Sequence, residues 1–214
     1  MVLRKSAYPI IAGCAMNKIF RRFALALALV SLAGCSPSGG GTPAQPPLAG
    51  AGVGGPFTLI NQNGKPTSDV DFTGQYRIMY FGYTYCPDVC PVDVQHIGAA
   101  LKLLEKSHPA LAGRITPIFV TVDPERDTPA VLKEFVAAFH PRMVGLTGTP
   151  EQIADIAKKF AIFYEKQPPA PGGGYIVGHS RQAYLFDPAG HPLALLPQDK
   201  SPQTIADEIR RWAR

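Results

Sequence analysis

Cys86 and Cys90 stand four positions apart in "YFGYTYCPDVCPVDV", between an apolar run and a proline. Thiolates are nucleophiles and soft metal ligands, so this spacing admits a disulfide, a redox pair or two legs of a metal site. A purely structural bridge across so short a loop removes little unfolded-state entropy, under about 3 kcal/mol in the chain-entropy model. Two sulfurs alone give Cu(I) a linear, easily exchanged site, so a metal reading requires a third ligand. The chain offers five histidines. His96 falls in a helical stretch, His108 and His140 each precede a proline at a helix end, and His191 starts a terminal strand, so these four read as surface or capping residues. His179 differs: it lies in "GGGYIVGHSRQAYLF", after the insert "QPPAPGGG" and just before a strand pattern.

The elements that must position these residues show in local patterns. "FTLINQNGKPT" predicts a short hairpin around Asn63-Gly64, and "YRIMYFGYT" predicts a buried strand rich in aromatic and β-branched types. After the cysteines, Val94, Ile97, Leu101 and Leu104 recur at helical spacing, with Pro91 suited to the first helical position. The cysteines then sit at a helix N-terminus, where unpaired amides and the dipole favour thiolate. "RITPIFVTVD" and "MVGLTG" predict two more strands, and Thr-Pro pairs at 128–129 and 149–150 predict two helix starts. "IFYEK" predicts a further strand, "RQAYLFDPAGHPLALL" a hairpin turning at 187–190, and "SPQTIADEIRRWA" a closing amphipathic helix. This order implies an α/β domain, a central mixed sheet flanked by helices with an added N-terminal hairpin, and suits a thioredoxin-like fold. In such folds the segment before the terminal hairpin faces the cysteine loop, and oxidoreductases place a cis-proline there. Here the segment is Gly178-His179-Ser180, and an imidazole in that place could complete a trigonal site.

At 214 residues, 46% apolar and 17% charged, the composition is that of a globular protein. The net charge of +5 sits in residues 1–34, which hold Arg4, Lys5, Lys18, Arg21, Arg22 and no acid. The remainder balances 16 basic against 16 acidic residues, so no basic patch points to nucleic acid. The leader has secretory anatomy: basic "NKIFRR", then "FALALALVSLAG", too short to cross a bilayer stably. "LAGC", ending at Cys35, matches a bacterial lipobox, which makes residues 1–35 a signal peptide and Cys35 the lipidated first residue of a mature lipoprotein. Met16 is an alternative start, with residues 1–15 then a mis-assigned extension. Residues 36–55, uncharged and rich in Gly, Pro and Ser, read as a flexible tether, and residues 56–214 as the folded domain. Export places the domain in an oxidising compartment facing the periplasm or cell exterior. Cys86 and Cys90 are the only side-chain thiols left to it.

"YFGYTYCPDVCP", "VTVDPERDTP" and "YIVGHSRQAYLFDPAG" together resemble the SCO/SenC family of copper proteins, needed to assemble the CuA centre of cytochrome c oxidase. The resemblance covers about residues 56–213. It implies a thioredoxin-like fold, with Cys86, Cys90 and His179 as ligands to copper, Cu(I) or Cu(II), and Asp123 supporting the site from behind. Asp123 also reads as a turn or cap residue beside Pro124. Many members carry an aspartate immediately before the histidine, where this chain has Gly178. The implied partners are the CuA-bearing oxidase subunit, other periplasmic copper chaperones or thiol reductases, and a membrane reached through the lipid anchor.

Other chemistries compete with copper delivery. A dithiol at a helix N-terminus also suits a thiol-disulfide oxidoreductase acting on the cysteines of the CuA site or of other exported proteins, although the three-residue spacer and missing proline argue against it. A peroxidase would need a Thr/Arg environment around one low-pKa cysteine, which the sequence does not offer. A scaffold role is the weakest alternative. In the copper reading, His179 belongs to a loop beside a Gly/Pro insert, so the third ligand is expected to move and to leave first when a partner's cysteine arrives.

Overall fold

A computed structural model describes residues 45–169 and 173–214. Strand β3 (Tyr76–Gly82) carries the site, and all seven of its residues are buried. That burial follows from its place: parallel β4 (Ile115–Thr121) lies on one side and antiparallel β8 (Ala183–Phe186) on the other. A central strand covered on both faces is apolar along most of its length rather than in alternation, and Arg77 is the one charged residue in β3. Outside β4 come parallel β5 (Val144–Thr147) and then the expected N-terminal hairpin, β1 (Thr58–Asn61) and β2 (Pro66–Ser68). The hairpin joins antiparallel to β5, and β9 (Pro192–Leu196) closes the far edge, giving the order β2-β1-β5-β4-β3-β8-β9. This is the mixed sheet of a thioredoxin-like fold.

Helices cover both faces. Successive β3 residues point to opposite sides. Tyr80 stacks toward Phe119, which meets Phe135 of α3 (Pro129–Phe139). Phe81 meets Phe160, at the end of α4 (Pro150–Lys159), and Phe160 also contacts Phe57 and Phe186. The long α1 (Val89–Ser107), followed by the short α2 (Pro109–Ala112), packs against the C-terminal α5 (Pro202–Trp212). Both Thr-Pro starts behave as expected: Thr128 accepts from the Val131 amide, and Thr149 forms a reciprocal cap with Gln152.

Three expectations change. Helix α1 begins at Val89, which makes Pro91 its third residue rather than its first. No N–H is lost, because the first turn's amides lack intrahelical partners anyway. Residues 45–55, assigned to the tether, lie along the body: the Leu48 amide donates to Leu193 O, and Leu48 and Val53 pack on the core. Gly54, at φ 104°, lets its amide reach the Lys159 carbonyl, and a Cβ there would meet the Phe186 ring at 3.1 Å. "IFYEK" does form a strand, β6 (Tyr164–Lys166), but outside the main sheet. It pairs with β7 (Val177–His179), so His179 ends a two-stranded ribbon instead of lying in an unstructured loop. The signal segment, the lipobox at Cys35 and residues 36–44 lie outside the described residues. Among the described residues, no helix is long and apolar enough to cross a membrane.

Candidate metal centre

Cys86 sits in the loop leaving β3, Cys90 in the first turn of α1, and His179 at the end of β7. The fold brings their ligand atoms within 4.8 Å of one another. Both cysteines are free thiols, and Cys90 Sγ lies 3.0 Å from His179 Nε2. A trigonal site with metal–S near 2.3 Å and metal–N near 2.0 Å needs ligand separations of about 3.8–4.0 Å. The Cys90–His179 pair therefore has to open slightly to take an ion, and the whole trio lies within about an ångström of such spacings. Close packing makes this possible at Gly82, where a Cβ would lie 2.9 Å from Cys90 Sγ. Glycine lets the sulfur lie directly against the end of β3.

The two sulfurs differ electrostatically. Burial pushes the Cys90 thiol up, and that residue is fully enclosed. Burial acts the same way on Cys86, but amide hydrogen bonds from Cys90, Asp88 and Val89, together with the Cys90 thiol, outweigh it and bring the Cys86 thiol below its ordinary value. Those amides are the unpaired donors of the helix start. His179 Nδ1 is 2.8 Å from Ser180 O, a carbonyl that can only accept. The proton therefore sits on Nδ1, and the Nε2 lone pair faces Cys90. Burial also lowers the imidazole's pKa, so it stays neutral at pH 7. Two sulfurs and a neutral imidazole suit Cu(I) in a trigonal site, or a divalent ion with a fourth ligand.

Asp123 does not touch the trio. It is buried, and its carboxylate accepts from Arg126 Nε and from Tyr175 OH at 2.8 Å. Arg126 in turn donates to Tyr175 O and lies over the rings of Tyr83, Tyr85 and Tyr175. Asp123 thus reaches the site only through the residues that hold the approach to β7 against the cysteine loop. His96, His108 and His191 are engaged with Gln198 O, Ser107 and Asp187. His140 caps α3 as expected but is buried rather than superficial, with Nε2 3.3 Å from Glu105.

Several supporting residues escaped the sequence reading. Asp127, fully buried, accepts from Thr84 N, Thr84 Oγ1 and Thr121 Oγ1 at 2.9, 2.6 and 2.6 Å, which fixes the loop before Cys86. Tyr83 OH accepts from Val177 N, and its ring meets the His179 ring edge-on at 5.8 Å. Asp93, also fully buried, is bonded by Tyr80 OH and Arg181. One signal was available: an acid beside Val94, three residues after Cys90, falls among the apolar positions of α1.

The family model described as SCO1/SenC matches residues 45–214. Protein SenC of Rhodobacter capsulatus is 43% identical over 162 residues, covering 75% of this chain and 71% of the relative. The structure of Bradyrhizobium japonicum ScoI with copper bound superposes at TM-score 0.67 and 36% identity, covering 75% of this chain and 99% of that one. A thioredoxin domain of a thiol-disulfide oxidoreductase from Bacteroides vulgatus, 16% identical, TM-score 0.52, covering 76% and 96%, shares the fold alone. The chain belongs to the SCO1/SenC family.

Proposed function

We propose that the protein is an exported, lipid-anchored copper chaperone that holds one copper ion through Cys86, Cys90 and His179 and delivers it to the CuA site of cytochrome c oxidase. The observation that carries this reading is the convergence of two sulfurs and one imidazole nitrogen, drawn from three separate elements, within 4.8 Å. Copper is cargo here. Its arrival displaces the proton that burial retains on Cys90 and the more readily lost proton of Cys86, while the neutral His179 has no proton to give up at its free nitrogen. Delivery proceeds by ligand exchange: a partner thiolate adds to copper and the neutral imidazole leaves first, because it carries no charge to separate from the cation. Asp123 serves indirectly, through Arg126 and Tyr175. The anchor is the lipid on Cys35.

Titration of the reduced full-length protein with copper is expected to give one equivalent bound, with sulfur-to-copper charge-transfer bands that change in His179→Ala. An unaltered spectrum and affinity in that variant would remove His179 from the site.

A second reading, a thiol-disulfide oxidoreductase, is favoured by the unequal sulfurs: an activated Cys86 in front of a buried, protonated Cys90 is also what dithiol exchange requires. The two readings separate in oxidase-assembly complementation. If copper-free His179→Ala restores assembly while either cysteine variant does not, thiol exchange is the function.

A further inference from the structure

His179 is the one ligand that comes from outside the cysteine loop and helix, and residue 178 contributes no side chain to hold it. What fixes the segment lies on its other side. Arg181, two residues past His179, sends Nε and Nη2 to the two oxygens of Asp93 at 3.1 and 2.8 Å. Asp93 is three residues after Cys90 on α1 and therefore shares its face of the helix. Its carboxylate is fully buried and takes a third bond from Tyr80 OH of β3 at 2.9 Å. One carboxylate thus ties together the strand that leads to Cys86, the helix that bears Cys90 and the link that follows His179.

We propose that the Arg181–Asp93 pair is a positioning device that sets the approach of His179 to Cys90 and thereby how firmly the metal is retained. The proposal rests on the three-ligand reading given above. A bidentate arginine–carboxylate pair has directional as well as electrostatic preference, so it fixes an orientation that a single contact would not. The pair is also neutral as a unit, so it acts on the site through geometry. The Arg181 carbonyl is bound by the Gln198 side chain, which fixes the backbone at the same residue. Arg181 remains partly exposed, its side chain 42% accessible, so the clamp is open to solvent on one side while its carboxylate is enclosed.

The test is Cu(I) affinity of the reduced full-length protein, measured by chelator competition for Arg181→Met and Arg181→Lys, each in the natural and the His179→Ala background. Ligand-supporting partners commonly contribute 10–100-fold to metal affinity. Arg181→Met is expected to weaken binding about tenfold or more, and Arg181→Lys to recover part of it. In the His179→Ala background the Arg181→Met effect should vanish, since there is no imidazole left to position. An equal loss in both backgrounds would assign the pair to general stability, and no loss in either would remove its role; both overturn the proposal. If His179→Ala alone binds copper as the natural protein does, the three-ligand reading has failed and the positioning role falls with it, a result visible without any Arg181 variant. Should Arg181→Met not fold, Asp93→Asn, which keeps the shape and one acceptor, carries the same comparison.

Discussion

Replacing Gly82 with alanine tests the packing that places Cys90 against the strand. The added Cβ would lie 2.9 Å from Cys90 Sγ, 3.0 Å from Tyr80 Cε1 and 3.3 Å from Phe119 Cε2. None of these neighbours is a loose end. Cys90 is fully enclosed in the first turn of α1, Tyr80 is pinned through its hydroxyl to Asp93, and Phe119 packs on Phe135 with ring centres 4.9 Å apart. The backbone has no room to retreat either, because Gly82 is paired with Thr121 of β4. An ordinary carbon contact requires the sulfur to withdraw by about 0.5 Å or more. Overpacking of this kind destabilises by about 1–3 kcal/mol, and the rigidity of all three neighbours puts this site in the upper half. For a body of this size that is a fall in Tm of roughly 5–10 °C. The displaced sulfur also leaves its place beside His179, so Cu(I) affinity falls together with Tm. Calorimetry of the apo protein and chelator competition measure the two effects. Gly178→Ala is the control, since a Cβ there meets nothing nearer than 3.6 Å. If Gly82→Ala melts within a degree of the natural protein and binds copper equally well, the proposed contact between strand and sulfur is wrong.

Copper uptake should tighten as pH rises. Burial keeps the proton on Cys90 well above its ordinary range, so each pH unit between 6 and 8 raises apparent Cu(I) affinity by at least about tenfold, and a flat profile would mean that Cys90 does not bind as thiolate. Stability should fall in mild acid in part through His140. Its folded pKa lies below 6.5 because burial disfavours the cation, although Glu105 opposes this, so the unfolded chain takes the proton first. The contribution is full above about pH 6.5 and is lost as pH drops toward the folded value; a urea midpoint that falls equally between pH 7.5 and 5 in His140→Gln would exclude it. Arg77 is buried, its Nε has no hydrogen-bond partner and burial lowers its pKa by more than the attraction of Asp69 and Asp187 raises it, so Arg77→Met should raise stability by about 1 kcal/mol in denaturant titration, whereas a loss would mean that those two carboxylates outweigh the burial cost. Oxidation of Cys86 and Cys90 to a disulfide gives up two protons and two electrons to the oxidant and removes both thiolates, so Cu(I) binding should disappear in oxidising buffer and return with reductant; binding that survives oxidation would place the copper elsewhere.

Much of the fold could be read locally because its signals span four residues or fewer. Thr128-Pro129 and Thr149-Pro150 announce helices by supplying a cap and a pre-set φ, and both do so in the structure. The turn at 187–190 closes as its composition indicates, with the Gly190 amide on Asp187 O. The ribbon of β6 and β7 could not be read this way: each strand has three residues, too few to show alternation, and their pairing crosses the Gly/Pro insert. The order of residues 45–55 was equally hidden, since it depends on Leu48 and Val53 finding a surface built far away in sequence. At the site, residue type was enough to single out two cysteines and one histidine. The residues that hold them were not: Asp93 stands out only as an acid among apolar helix positions, and its partner Arg181, 88 positions away, looks like an ordinary surface charge.

In the proposed copper-delivery reading, this difference bears on how the site would release what it holds. The Gly/Pro insert suggested a third ligand on a swinging loop, yet β7 is bound to β6 along its length, its Val177 amide is held by Tyr83, and Arg126 and Arg181 secure the chain before and after His179. A ligand fixed on both sides favours retention, since little ordering remains to oppose binding. Release then cannot depend on the free protein wandering open. It requires a competing ligand to enter while all three remain near, and Cys86 is the sulfur best placed to admit one: it lies in a loop, touches solvent slightly and has the exposed Tyr85 beside it, whereas Cys90 is sealed beneath the strand. A partner thiolate approaching on the Cys86 side would pass through a four-ligand intermediate before the imidazole departs, so the transfer rate should rise with partner concentration and show no slow opening step.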